Sequence, residues 1–312
     1  MTWRQHRLQL VFGLGVIVAA ALAALITGLP MRSAYHQHVL SSCLPPSSRS
    51  GCDLIIRHFE SQYAGPVRAA RYLIVLPALV GLFVGAPLLA RELEHGTHRL
   101  AWTQSVTRRR WLLSKTLLLS LAAAAGAAAL SGLVMWWRTP IDALQGRMNP
   151  SAFEIEGLVV PAYAVFALAV GVFAGALLHR TIPAMSAALA TFLAVRFSVG
   201  KFVRPHFLPA SNERAGGLAP SAHARDWVLS NSLVDAVGRH ITVAREDLAI
   251  VHAQHARIDP QEYLLSLGWR RAVSFQPADR FWAFQGIEAA IFVALAALLV
   301  LATVRLVQRS PA

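Results

Sequence analysis

Charge is scarce in this 312-residue chain. Only 14% of its residues are Asp, Glu, Lys or Arg, where a soluble domain carries about 25%. Acids are the scarcer sign, 16 against 29 bases, and just two bases, Lys115 and Lys201, are lysines. Two cysteines, Cys43 and Cys52, are too few for a disulfide-stapled mini-protein. The phosphate-cradling signature Gly-x-x-x-x-Gly-Lys-Ser/Thr is missing: Gly200-Lys201 lacks the upstream glycine and the following hydroxyl. The chain therefore does not hydrolyse ATP itself. There is no Cys-x-x-Cys, His-Glu-x-x-His or Gly-x-Ser-x-Gly. The pairs His95/His98, His36/His38 and His252/His255 have no third ligand at a supportive spacing. No metal site and no catalytic residue is expected.

What is abundant is apolar. Such residues make up 55% of the chain, and mean hydropathy is +0.49. That excludes an ordinary cytosolic globule and a disordered tail. A spanning helix needs about 20 mostly apolar residues to cross about 30 Å of hydrocarbon. Six runs qualify: 8–29, 72–90, 116–137, 157–178, 181–203 and 281–304. Helices are the natural choice, because lipid cannot satisfy an open sheet edge. The first run is too long for a cleavable signal peptide and reads as a retained anchor. The fold class is thus an all-α polytopic membrane protein, a single transmembrane domain over 1–312.

Orientation follows from basic residues in short loops. With both termini cytoplasmic, the inner segments 1–7, 91–115, 179–180 and 305–312 hold eleven bases in 42 positions, and the outer segments hold eighteen in 146. The inner density is higher, which absorbs most of the formal charge of +13 and removes the need for a nucleic-acid partner. Cys43 and Cys52 both fall in the first outer loop, where oxidation permits a structural bridge. The largest soluble piece is the outer loop 204–280. Pro205 to Pro220 reads as loop. A helical spacing follows through Val228, Leu229, Leu233, Val234 and Val237, and again through Leu248, Ile250, Val251 and His255, ending before Pro260. Small-residue pairs Gly81/Gly85 and Gly171/Gly175 suit close helix packing, in one subunit or across a dimer.

The inner segment 91–115 is the most informative. Ala90 to His95 continues the second span, Gly96 breaks it, and Thr97 can cap a short helix to about Gln104. Leu100, Ala101 and Trp102 give that helix an apolar side; His98, Arg99 and Gln104 give it a polar one. Arg108, Arg109, Arg110 and Lys115 then meet the membrane surface. A basic loop alone would be only a topology determinant; two acids beside a glycine and a capped amphipathic turn need a further reason.

Glu92-x-Glu94-x-Gly96-Thr97, then Thr103-Gln104-Ser105-Val106-x-Arg108, then Lys115, resembles the region after the second span in ABC-2 type transporter permeases. Trp3 to Arg7 and Arg204-Pro205-His206 are similar to members from high-GC bacteria of the actinobacterial type. The resemblance implies a permease of the bacterial cytoplasmic membrane, paired as a homo- or heterodimer and docked on a separate ATP-binding subunit that holds ATP and Mg. On it, Glu92 and Glu94 would meet basic groups of that subunit and Gly96 would permit the bend. Thr97, Arg99, Leu100, Trp102 and Gln104 would form the coupling helix. Arg108 to Arg110 and Lys115 would anchor the segment on anionic lipid. The cargo would be amphipathic or lipid-like, moved outward.

Charges inside apolar runs are functional candidates by default. Arg196 and Glu288 lie at matching depths of about 10 Å at 1.5 Å per residue, and are expected to face each other as an ion pair near an outer gate. The alternative is a membrane-anchored sensor or enzyme acting through 204–280, a loop that lacks well-spaced acid and base candidates. An ion-coupled secondary transporter is disfavoured by the nearly charge-free midplane.

Overall fold

The computed structural model describes residues 2–40, 43, 51–94, 108–214 and 225–309. Six of its helices are long and apolar enough to cross a membrane. The first, α1 (Thr2–Ala34), runs on through a wide π turn at Tyr35–Leu40. The second begins as the amphipathic α2 (Cys52–Ala70). It continues through a tight 3-10 turn at Arg71–Val75, α3 (Leu76–Val80), a π turn at Gly81–Gly85 and α4 (Ala86–Glu94). The others are α5 (Arg108–Gln145), α7 (Val159–Leu178), α8 (Thr181–Ser198) and α11 (Phe281–Arg309), with the one-turn α6 (Pro150–Phe153) before α7. At 1.5 Å per residue, α5 measures about 57 Å, nearly twice the hydrocarbon thickness.

α7 is the axis of the bundle. It is apolar on every side, and such a helix is stable only when enclosed. Its span is 83% buried, where no other span exceeds 44%. α4, α5, α8 and α11 pack around it. The two glycine pairs lie in one seam. A Cβ built on Gly85 would come within 2.6 Å of the Leu168 carbonyl, and one on Gly175 within 2.6 Å of the Ala86 carbonyl. The glycines thus let two backbones touch within a single subunit. The two-residue link from α7 to α8 places His179 in the left-handed region, φ 54°.

At one end of the bundle, α2 leans on the ends of α1 and α5. Met31, Tyr35, Phe59, Tyr63, Trp137, Ile141 and Leu144 form that small core. Cys43 and Cys52 are bonded to each other beside it, Cα to Cα 5.4 Å. The same end carries a three-stranded antiparallel sheet in the order β1 (Ser211–Arg214), β3 (Arg270–Gln276), β2 (Trp227–Val234). α9 (Val243–His255) and α10 (Pro260–Ser266) cover it through Leu233, Ala249, Leu264 and Trp269. Asp259 caps α10, accepting from the Gln261 and Glu262 amides at 2.8 and 3.2 Å.

The helical spacing through Val228 to Val237 misleads, because 227–234 is a strand. Its partner β3 lies some 40 residues on, and that distant ladder outweighs local periodicity. The stretch Pro205 to Pro220, expected as loop, contains β1. After β2 the chain turns on Asp235, whose carboxylate accepts the Arg239 and Val237 amides at 2.8 and 3.0 Å. Chiefly that Arg239 amide, with help from its side chain, holds the Asp235 carboxyl below the usual carboxylate range.

Candidate functional site

Two buried charge clusters sit side by side at the sheet end, joined by the linker between α5 and α7. The first contains Arg138 and Asp142, one turn apart on α5. The Arg138 guanidinium donates to Asp142 at 3.0 Å and, through Nε, to Glu156 at 2.7 Å. Arg147 donates to the other Glu156 oxygen at 3.1 Å and stacks 4.2 Å over the Phe281 ring. Glu156 is fully buried. Two arginines face two carboxyl groups.

The second cluster has the same make-up. Glu154 accepts from Arg196 at 3.1 Å through one oxygen and from Arg204 at 3.1 Å through the other. Arg204 also grips Glu288 in a fork, Nε to Oε2 at 2.6 Å and Nη2 to Oε1 at 2.8 Å. The Tyr163 hydroxyl donates to Glu288 Oε1 at 2.5 Å. Arg204 lies 4.6 Å over the Phe153 ring and Arg196 4.7 Å over Tyr163. A charge in such a place persists only when paired and hydrogen-bonded.

The expected direct pair of Arg196 with Glu288 is therefore corrected. Each has another partner, and they connect through Glu154 and Arg204. The physical reason is a rephased helix. Eight residues along a regular α-helix would set Arg204 about 80° from Arg196, but the extra residue of a π turn takes back about 100°. That turn is Val199–Val203, just past α8, and it brings both guanidinium groups to one side. Gln285 locks the linker from α11: it donates to the Phe153 carbonyl at 3.0 Å and accepts the Val159 amide at 2.9 Å. Gly157, at φ 72°, leaves room for that side chain, which a Cβ would meet at 2.7 Å.

Sequence reasoning missed Arg138, Asp142, Arg147, Glu154, Glu156, Tyr163 and Arg204. The signal available was Glu154-Ile155-Glu156, two of the few acids in the chain, directly before an apolar run.

At the opposite end stands the segment between α4 and α5. Gly96, Thr97, Arg99, Leu100, Trp102 and Gln104 lie outside the described residues. Glu92 falls on α4 and Arg108 opens α5. Glu94 closes α4. Its carboxylate accepts from the Thr181 amide at 3.1 Å and the Thr181 hydroxyl at 2.8 Å. These are the first donors of α8, and a carboxylate there is favoured by both hydrogen bonding and the helix dipole.

Six candidate spans, one of them sealed among its neighbours, with paired charges at one end and a helix-linking acid at the other, define a polytopic membrane protein. Residues 14–204, more than half of the chain, match the family described as ABC-2 membrane transporter related, and the chain belongs to that family. Its members are typically non-catalytic permease subunits. The match carries no sign of an actinobacterial origin. No curated protein and no solved structure matches the chain.

Proposed function

We propose that this chain is the transmembrane permease subunit of an ATP-driven exporter in a bacterial cytoplasmic membrane. It works as a homo- or heterodimer with a separate ATP-binding subunit, which binds the ATP and Mg. Both termini and the segment 91–115 face the cytosol, and the loop 204–280 faces outward. The cargo is amphipathic or lipid-like, in keeping with spans whose midplane is nearly free of charge.

The observation that carries this reading is the Glu94 carboxylate on the start of α8. The helix Thr97 to Gln104 docks on the ATP-binding subunit, with Glu92, Arg99, Leu100, Trp102 and Arg108 around it and Gly96 as the bend. Closure of that subunit on ATP moves the segment. The movement enters α4, and Glu94 passes it to α8 rather than leaving it in a single helix. Through the glycine seam α4 also bears directly on α7. Two hydrogen bonds to a carboxylate contribute about 1.5–3 kcal/mol each, enough to transmit a displacement between two helix ends.

The test is reconstitution with the ATP-binding subunit that co-purifies with the full chain. Glu94→Ala and Thr181→Val are expected to retain the complex yet lower ATP-dependent movement of a fluorescent phospholipid analogue at least tenfold. Gly96→Pro is expected to lose the complex itself. Unchanged complex and unchanged transport in all three overturns the reading.

A further inference from the structure

A second site lies on the flank of the bundle, where α2 passes into the second span. Two adjoining clefts, about 860 and 550 Å³ in volume, open between α2 and the α6 turn. Both are lined by Arg68, Arg71 and Ser151. Such volumes lie within the about 300–1,000 Å³ range of small-molecule sites.

The charges lining these clefts do not cancel. Of the acids, Glu154 gives its two oxygens to Arg196 and Arg204, and Glu60 accepts from Gln145 at 3.0 Å. Of the bases, Arg57 and Arg138 already have partners, Arg138 in Asp142 and Glu156. Arg68 donates through Nε to the Ala64 carbonyl, and neither Arg68 nor Arg71 meets a carboxylate among the described residues. Two guanidinium groups three residues apart on one helical face can grip a phosphate through paired N–H donors.

Behind the larger cleft stands Arg196, only 8% exposed. Its Nε has no hydrogen-bond partner, and the groups it does hold, the Ile74 carbonyl and Glu154, both line the cleft. Below the arginines the surface turns apolar in a helical row: Tyr72 at 78% exposure, then Val75, Leu79 and Phe83. Charge at the head of the apolar run and a hydrocarbon stripe beneath it match the two halves of one molecule.

We propose that Arg68 and Arg71 bind the phosphodiester headgroup of an anionic phospholipid, with its acyl chain along Tyr72, Val75, Leu79 and Phe83. The site is independent of the transport reading, since it requires only that the second span lies in a bilayer. Ser151, whose hydroxyl donates to Asn149 Oδ1 at 3.0 Å, only lines the two clefts, and Tyr72 is the step from headgroup to chain.

The test uses the full chain in nanodiscs of phosphatidylglycerol and phosphatidylcholine in equal parts, with lipid retained after stepwise delipidation counted by native mass spectrometry. Wild type is expected to keep phosphatidylglycerol selectively. The double variant Arg68→Gln/Arg71→Gln is expected to lose that selectivity at least tenfold, while Arg68→Lys/Arg71→Lys falls between. Both positions are exposed, and an Arg245→Gln control on α9 is expected to behave as wild type. Glycerophosphoglycerol, the headgroup without chains, and inorganic phosphate are added as competitors and should displace the lipid at least a hundredfold less well than the intact lipid does. Wild-type selectivity in the Gln double variant overturns the proposal. So does displacement by free phosphate as effective as by the lipid, which would make this a phosphate site without a hydrocarbon component.

Discussion

Arg204 and Glu288 grip each other in surroundings almost closed to water, at 2% and 0% side-chain exposure. In that setting the loss of one partner matters more than the loss of both. Removing one member of a buried pair leaves an uncompensated charge and costs about 3–5 kcal/mol, whereas well-packed apolar replacements of both are often close to neutral. Glu288→Met and Arg204→Met are each expected to lower the unfolding temperature sharply, and the double variant to be more stable than either single one. Thermal unfolding of the three proteins in detergent checks this; simply additive losses would show that the two side chains act separately. Arg196 and Glu288 were legible in the sequence because each interrupts an apolar run. Their partners were not. Glu154 and Arg204 stand where the runs stop, a place where a charge ordinarily meets water, and only the folded linker reveals that it is sealed.

Helices carry a different kind of information. The six spans could be read from apolar length alone, since hydrocarbon thickness sets a minimum that few other segments reach. The way they fit together is set by a few small residues. Gly171 lies against the backbone of Gly85 and Ala86, so even one added methyl must push α7 from its neighbour. Gly171→Ala is expected to destabilise by about 1–3 kcal/mol, the usual cost of overpacking. Gly132→Ala, on α5 with nothing within 4 Å of the new methyl, is expected to leave stability unchanged or slightly raised. Parallel denaturation curves check the contrast, and equal losses at both sites would refute the seam. The strand β2 marks the limit of local reading. Its apolar residues satisfy a helical template, and a ladder with a segment far along the chain decides against it.

Across the whole molecule the two ends of the bundle divide the work. One end gathers the disulfide, the sheet and both ion clusters; the other carries the segment between α4 and α5 and the short turn at His179. On the orientation we propose, the excess of bases around 91–115 puts that second end toward the cytosol. Single cysteines introduced at Arg109 and at Val237, in a chain lacking Cys43 and Cys52, are expected to divide cleanly. In intact cells a membrane-impermeant maleimide should label the position at Val237 and spare the one at Arg109. The reverse pattern would invert the whole orientation. The proposed orientation rests on simple charge counts, which need only the sequence, whereas the hydrogen bonds of Glu94 to Thr181 needed the fold, which alone brings residue 181 beside it.

The family match stops at Arg204, and the side chain of that residue is fastened to Glu288 on the last helix. Any chimera that transplants a foreign carboxy-terminal third after this point inherits a debt at the suture. Unless the incoming helix brings an acid to the same height, the recipient keeps only Glu154 for that guanidinium and loses the fork on its Nε and Nη2. The border between the matched stretch and the rest of the chain is thus guarded by one chemical password.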